Sequence, residues 1–435
     1  MIATDLPGQP SRGIYGGAGH DDEVLRRLVL DLTPLKVSAN YRRLWLGLSV
    51  AQIGQQMTTL AVGIQVYDLT GSSFAVGMVG AFAFVPLVAF GLYGGSISDT
   101  YDRRKVALVA STGLWLCSLL LVMQSAAGWN QTWVLYAVVA AQSAFFAVNN
   151  PARSAILPRI LPPEMLPAAN ALTTITWNVG FTLGPLLGGF IIFISGFTAA
   201  YIVDALTFTA ALYALFRLPP IPPEAEVRRA GWAAVWEGLT FLRTRRNLLM
   251  TFLVDLSAMV LAQPRALFPA LAATTYGGGA RTVGYLSAAP AIGALVAAIF
   301  SGWLGRIRLQ GLMVVVMVCL WGGCVALFGA TSWLALGMLL LAGAGAADMV
   351  SAVFRSTILQ VATPDELRGR LQGVFIVVVA GGPRLGDVVA GSAATVLGER
   401  VAIVGGGLAC IMATLALVAW HRRFLAYDAR HPSAD

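Results

Sequence analysis

"RSAILPRILPPEM", residues 153–165, returns in looser form as "RSTILQVATPDEL", residues 355–367. Arg, Ser, Ile, Leu, Pro and Glu coincide at a constant offset of 202 residues. The register carries on downstream, where Gly180, Gly184 and Gly189 fall on Gly382, Gly386 and Gly391. Self-similarity at a fixed spacing marks a duplicated structural unit.

Composition says what kind of unit is duplicated. Of the 435 residues, 57% are hydrophobic and 11% charged, and the mean hydropathy is +0.74. A soluble protein carries roughly 25% charged residues, because water-facing positions need polar groups. The chain therefore reads as an integral membrane protein. A cytosolic enzyme, a secreted disulfide scaffold and a disordered protein are excluded. A membrane helix needs about 20 mostly apolar residues. Twelve runs qualify, near 44–67, 73–97, 106–127, 132–150, 169–193, 197–218, 247–272, 281–304, 311–330, 332–354, 370–397 and 400–420. They are too long, and too uniformly apolar, for barrel strands.

The repeat offset spans six of these runs, an even number that preserves orientation. The expected fold is all-α, with twelve transmembrane helices in two parallel six-helix repeats. The divisions are a cytoplasmic tail at 1–43, a first half at 44–218, a linker at 219–246, a second half at 247–420 and a tail at 421–435. Trp232, Val235, Trp236, Leu239 and Leu242 recur at helical spacing in the linker, which predicts an amphipathic helix on the membrane face. The loops on the terminal side hold Arg103, Arg104, Lys105, Arg153, Arg159, Arg306, Arg308, Arg355, Arg368 and Arg370, against Arg281 and Arg400 opposite. The positive-inside rule then places both termini in the cytoplasm. The net charge of +8 is an orientation signal, with no nucleic-acid partner implied.

Three groups of residues carry a family resemblance. "GGSISDTYDRRKV" follows the second run, with Gly95, Asp99, Arg103 and Arg104 spaced as in G-x-x-x-D-x-x-x-R-R. "GFTLGPLLGGF" in the fifth places Gly180, Gly184, Pro185, Gly188 and Gly189 as in G-x-x-x-G-P-x-x-G-G. The opening "NYRRLWLGLSVAQIGQQMTTLAVGIQVYDLTGSS" and the linker "EGLTFLRTRRNLL" add a third. The chain resembles a major facilitator superfamily transporter of the enterobactin-exporter and multidrug-efflux branch. That resemblance implies a bacterial cytoplasmic membrane, alternating access, export coupled to proton entry, and a cavity lined by the first, fourth, seventh and tenth helices. It implies a monomer whose partners are a small-molecule substrate, protons and the lipid bilayer. An importer of the same fold is the alternative. Siderophores and drugs stay open as substrates. The loop motif departs from the family at Thr100 and Asp102, and its second-half copy carries Arg306 in place of the acid.

The residues suggest roles. Asp99 can pair with Arg103, Arg104 or Arg153 as a latch on a two-state equilibrium. Gly180, Gly184 and Gly188 share a helix face that admits a close neighbour, expected to be the eighth helix, and Pro185 permits a bend. Polar stripes facing lipid would be costly, so Gln52, Gln56 and Thr59, then Gln142, Phe145, Phe146 and Asn149, then Met259 and Gln263 are expected to line a wet cavity, with Trp177 beside them. Helix–helix hydrogen bonding is the other role open to the amides. Asp204, Asp255, Arg265, Asp348, Arg384 and Asp387 are the ionisable residues inside the runs. Each costs about 2.5–3.5 kcal/mol near midplane. Arg384 and Asp387, at i and i+3, can pair locally. Asp255 and Asp348 can partner Arg265, Arg384 or Arg355 across the cavity, and are the preferred proton-coupling acids of a set that includes Asp387, Arg384 and Arg265. Asp204 reads as structural. The histidines, His20, His421 and His431, all lie in the tails, and Cys117, Cys319, Cys324 and Cys410 show no metal spacing. No metal, cofactor or catalytic residue is expected, and an intramembrane enzyme is disfavoured.

Overall fold

The computed structural model describes residues 31–222, 240–362 and 365–428, with side chains except at 92–96, 98–99, 303 and 365–377. Every regular element among them is helical. In chain order they are α1 Ala39–Thr70, α2 Ser73–Thr100, α3 Arg103–Ala126, α4 Thr132–Ile160, α5 Leu166–Phe216, α6 Arg246–Leu261, α7 Phe268–Leu271, α8 Gly279–Ile299, α9 Gln310–Ala330, α10 Leu334–Ala362, α11 Asp365–Leu397 and α12 Glu399–Trp420. Nine of the described helical segments are long and apolar enough to cross a membrane. Trp232, Val235, Trp236 and Leu239 of the expected linker helix lie outside the described residues, while Leu242 is buried in the main apolar core.

Local chemistry sets the breaks. The Ser38 and Ser72 hydroxyls accept from Tyr41 and Ala75 N–H groups at 3.2 and 3.4 Å and open α1 and α2. These are N-caps, each satisfying one orphan donor of a helix start. Gly71 ends α1 at φ 61°, and Gly196 interrupts α5 at φ 76°, a region that costs a side-chain-bearing residue strain. Pro264, with no N–H to give, separates α6 from α7.

Small residues let the elements approach closely. A Cβ on Gly293 would strike the Ala342 carbonyl, and one on Gly345 the Pro290 carbonyl, locking α8 to α10. The expected partner of the α5 glycine face is corrected here. Gly180 and Gly184 meet Gln52 and Gln56 of α1, and Gly188 meets Met57. Only Gly189, one position round the helix, faces α8, where a Cβ would lie 2.6 Å from the Ala280 carbonyl and 3.1 Å from Gly284 Cα. The same pattern recurs later in the chain. Gly382 of α11 meets Met259 of α6, and Gly386 meets both Met259 and Gln263, just past the end of α6. Gly391 faces α2, with its Cβ position 2.6 Å from the Ser73 carbonyl and 3.2 Å from Gly77 Cα.

Candidate transport site

Asp348 and Arg355 are two turns apart on α10 and share a face; Asp255 comes from α6. Arg355 bridges them. Its Nη1 donates to Asp255 Oδ1, and its Nη2 donates to Asp348 Oδ1 at 3.1 Å. The Arg355 and Asp255 side chains are 5% and 4% exposed, whereas Asp348 is 37% exposed. One carboxylate is thus sealed and the other opens out of the helix interface. Ser351, between them on α10, is buried with its hydroxyl unpartnered among the described residues, as is Arg355 Nε. Counted as ionised groups, this triad carries one net negative charge.

The other three ionisable residues gather elsewhere. Arg265 follows Pro264 in the turn Arg265–Leu267, and Arg384 and Asp387 lie on α11. Both arginines act electrostatically on Asp387. The local pairing open to Arg384 takes another form, because its Nη1 donates to the Ala380 carbonyl of its own helix at 3.1 Å. Asp387 Oδ1 is buried without a hydrogen-bond partner among the described residues.

The remaining cavity candidates divide. Gln52 and Gln56 are buried against α5, Met259 and Gln263 pack against α11, and Thr59 is exposed with its hydroxyl donating to the Gln55 carbonyl at 2.8 Å. Gln142 is half-buried on α4. Phe146 meets Trp177 edge to face at 6.3 Å, and Trp177 stacks on Phe181 at 5.9 Å, favourable geometries for aromatic pairs. Phe145 presses its ring on Gly113 of α3. Asn149 is buried, its Nδ2 donating to Ser111 Oγ at 3.2 Å, and Arg153 donates to the same hydroxyl at 3.3 Å.

Gly95 and the Asp99 carboxylate lie outside the described side chains. The motif's arginines bind backbone. Arg103 donates to the Ala155 carbonyl at 3.4 Å, and Arg104 to Leu215 and Phe216 carbonyls at 3.3 and 2.5 Å. Leu215 and Phe216 lie in the last turn of α5, where carbonyls lack a full set of helical partners; Leu215 O also accepts from Leu218 N–H at 3.2 Å. Asp102, which departs from the motif, caps α3 by accepting from the Arg104 and Lys105 N–H groups at 2.9 and 3.3 Å. It also accepts from Ile221 N–H at 3.4 Å, tying the chain after α5 to α3.

One network escaped the sequence reading. Gln65 and Gln124 exchange amide hydrogen bonds at 3.3 and 3.0 Å, and the Tyr201 hydroxyl donates to Gln65 Oε1 at 2.7 Å. One turn from Tyr201, the fully buried Asp204 accepts from the Ser118 hydroxyl at 2.6 Å. Four glutamine, tyrosine and serine positions spread over 136 residues give no local signal. Removing the donor to a buried carboxylate costs about 1.5–3 kcal/mol. Ser118→Ala is expected to lower the thermal unfolding midpoint while leaving transport per folded molecule unchanged, measured by unfolding in detergent beside a flux assay.

With this geometry in hand, comparisons place the chain. The family model MFS_3, transmembrane secretion effector, matches residues 30–434. The enterobactin exporter EntS of Shigella boydii serotype 18 is 26% identical over 367 residues, 83% of this chain and 87% of that protein. The Escherichia coli O81 enterobactin exporter gives the same figures. Among solved structures, the nucleoside transporter NupG aligns with TM-score 0.67 at 13% identity, covering 89% of this chain and 98% of its own. A bacterial homolog of the human lysosomal transporter Spinster, inward-facing and unoccupied, aligns with TM-score 0.66 at 15% identity over 90% and 98%. The structural likenesses speak for the fold alone.

Proposed function

Since the chain belongs to the transmembrane secretion effectors of the major facilitator superfamily, a family of membrane transporters, we propose that it is a proton-coupled exporter of small amphiphilic molecules working by alternating access. The observation that carries this reading is the Asp255–Arg355–Asp348 triad. A partly open carboxylate sharing an arginine with a sealed one can take a proton and release the arginine from one side. A change of that kind biases a two-state equilibrium. Asp387, with Arg384 and Arg265, is the second coupling group. The mixed set of Thr59, Gln142, Phe146, Trp177, Met259 and Gln263, none of them fully buried, suits amphiphiles, siderophores and drugs alike, and relatedness to enterobactin exporters supports the siderophore class.

Twelve spans in two repeats fit the helices. α5 breaks into two at Gly196, and α1 and α11, 32 and 33 residues long, join the apolar set. The paired contacts Gly189–Gly284 and Gly391–Gly77 support two parallel halves meeting through equivalent surfaces. Both contacts lie at the end away from the linker, while Gly91 at the other end of α2 has nothing near its Cβ position. This supports an inward-facing state in a bacterial cytoplasmic membrane, with both termini and the linker inside. Asp99 with Arg103, Arg104 and Arg153 is the latch at that end. Both charged groups are complete within one chain, so the working unit is a monomer.

Proteoliposomes test the proposal. Substrate-stimulated proton flux is measured with a catecholate siderophore and a cationic drug side by side. Asp255→Asn and Asp348→Asn are each expected to cut coupled flux by about 10- to 100-fold, the range of typical site-to-site coupling. Coupling that survives both would sink the assignment.

A further inference from the structure

We infer that Arg265 and Arg384 form a binding site for an organic anion, at the junction of α2, α11 and the Arg265–Leu267 turn; this rests on the transporter reading above. The argument begins with charge. Arg265, Arg384 and Asp387 sum to one net positive charge, opposite to the net negative charge of the Asp255–Arg355–Asp348 triad. A proton answers the triad. Asp387 can offset only one of the two arginines. Gly386, two residues after Arg384, packs on Gln263, two residues before Arg265, which brings both arginines to one junction, and neither makes an ion pair with Asp387 within 4.0 Å.

Donor satisfaction gives the same answer. Each guanidinium offers five N–H donors. Arg384 uses Nη1 on the Ala380 carbonyl, and Arg265 makes no hydrogen bond among the described residues. Their surroundings are apolar, with Ala266, Leu267 and Phe268 buried beside Arg265 and the Gly77 and Gly80 backbone over Asp387 and Arg384. Unused donors and uncompensated charge are expensive there. Arg265 and Arg384 are half-buried residues rather than sealed ones, which leaves a ligand an approach. A planar anionic group, such as a carboxylate or sulfonate, matches the guanidinium fork in bidentate fashion. The site lies where α2 meets α11, so parting those helices would free the anion on that side.

Binding to the full chain in phosphatidylcholine nanodiscs tests this, with empty discs subtracted. The probes are the anion 1-anilinonaphthalene-8-sulfonate and a cation of similar bulk, tetraphenylphosphonium. Arg265→Gln and Arg384→Gln are each expected to weaken the anion by about 10-fold, the loss of one charge-assisted contact, and to spare the cation. Arg281→Gln, the same charge change far from the site, is expected to alter neither. Where a glutamine variant does not fold, Arg265→Lys serves, keeping charge but losing the fork, with a smaller loss expected. Competition by added phosphatidylglycerol would identify a lipid headgroup as the anion's source; its absence would favour the transported molecule. Equal anion affinity in wild type and both glutamine variants overturns the site. Because binding is read without transport, that failure in protein that still exchanges protons for substrate would leave the exporter reading standing.

Discussion

Arg355→Met is expected to abolish transport and to destabilise the protein by about 3–5 kcal/mol, the cost of removing one partner from a buried ion pair. Arg355 is the sole bridge between Asp255 on α6 and Asp348 on α10 in the described structure. Without it the Asp255 carboxylate, 4% exposed, keeps its charge with no counter-ion or picks up a proton permanently. Either outcome removes the exchange on which coupling depends. Two measurements separate stability from mechanism. Thermal unfolding in detergent should show a clear fall for Arg355→Met. Adding Asp255→Leu should recover much of that fall, because a buried pair replaced by apolar groups of similar volume is often neutral or better. Substrate-driven proton flux should stay lost in the double variant. Full flux in Arg355→Met, or flux that returns with stability, would show the triad to be a structural tie only.

How much of this was open to inspection before the fold was known can be argued residue by residue. The membrane class and the six ionisable positions followed from composition and from the cost of charge in lipid. Which acid meets which arginine did not. Asp255 and Arg355 are 100 residues apart, and their meeting depends on the rotation of α6 about its own axis against α10. The same rotational phase decided the α5 glycines. Small residues at i, i+4 and i+8 announce a close neighbour but not which one. Gly180, Gly184 and Gly188 went to α1, and Gly189, only 100° round an ideal helix by the about 3.6-residue period, went to α8. Asp102 looked like a lapse from a motif; its meaning lay in capping α3 and holding Ile221, a contact 119 residues away.

Gly391→Val and Gly189→Val carry the second large expectation, which is that each stops transport without unfolding the protein. In the described state, a Cβ at Gly391 would lie 2.6 Å from the Ser73 carbonyl, and one at Gly189 would lie 2.6 Å from the Ala280 carbonyl. The obstacle in both places is backbone, which cannot turn aside as a flexible side chain would. The α2–α11 and α5–α8 crossings must therefore open by several tenths of an ångström. Overpacking of this kind costs about 1–3 kcal/mol, falls only on the state in which the crossings are closed, and so shifts the two-state ratio by about 5- to 150-fold. The alternative state, with the crossings parted, bears no penalty. Spin labels at Gln131→Cys and Ser332→Cys, in a background without the four native cysteines, report the separation across that end. The label distance should lengthen in either valine variant, and the unfolding midpoint should hold. Under the proposed alternating access the two crossings open together, and the double variant should then be barely worse than either single one, unlike independent lesions, whose costs add. An unchanged distance distribution with full transport would mean that these helices part and meet somewhere other than at their glycines.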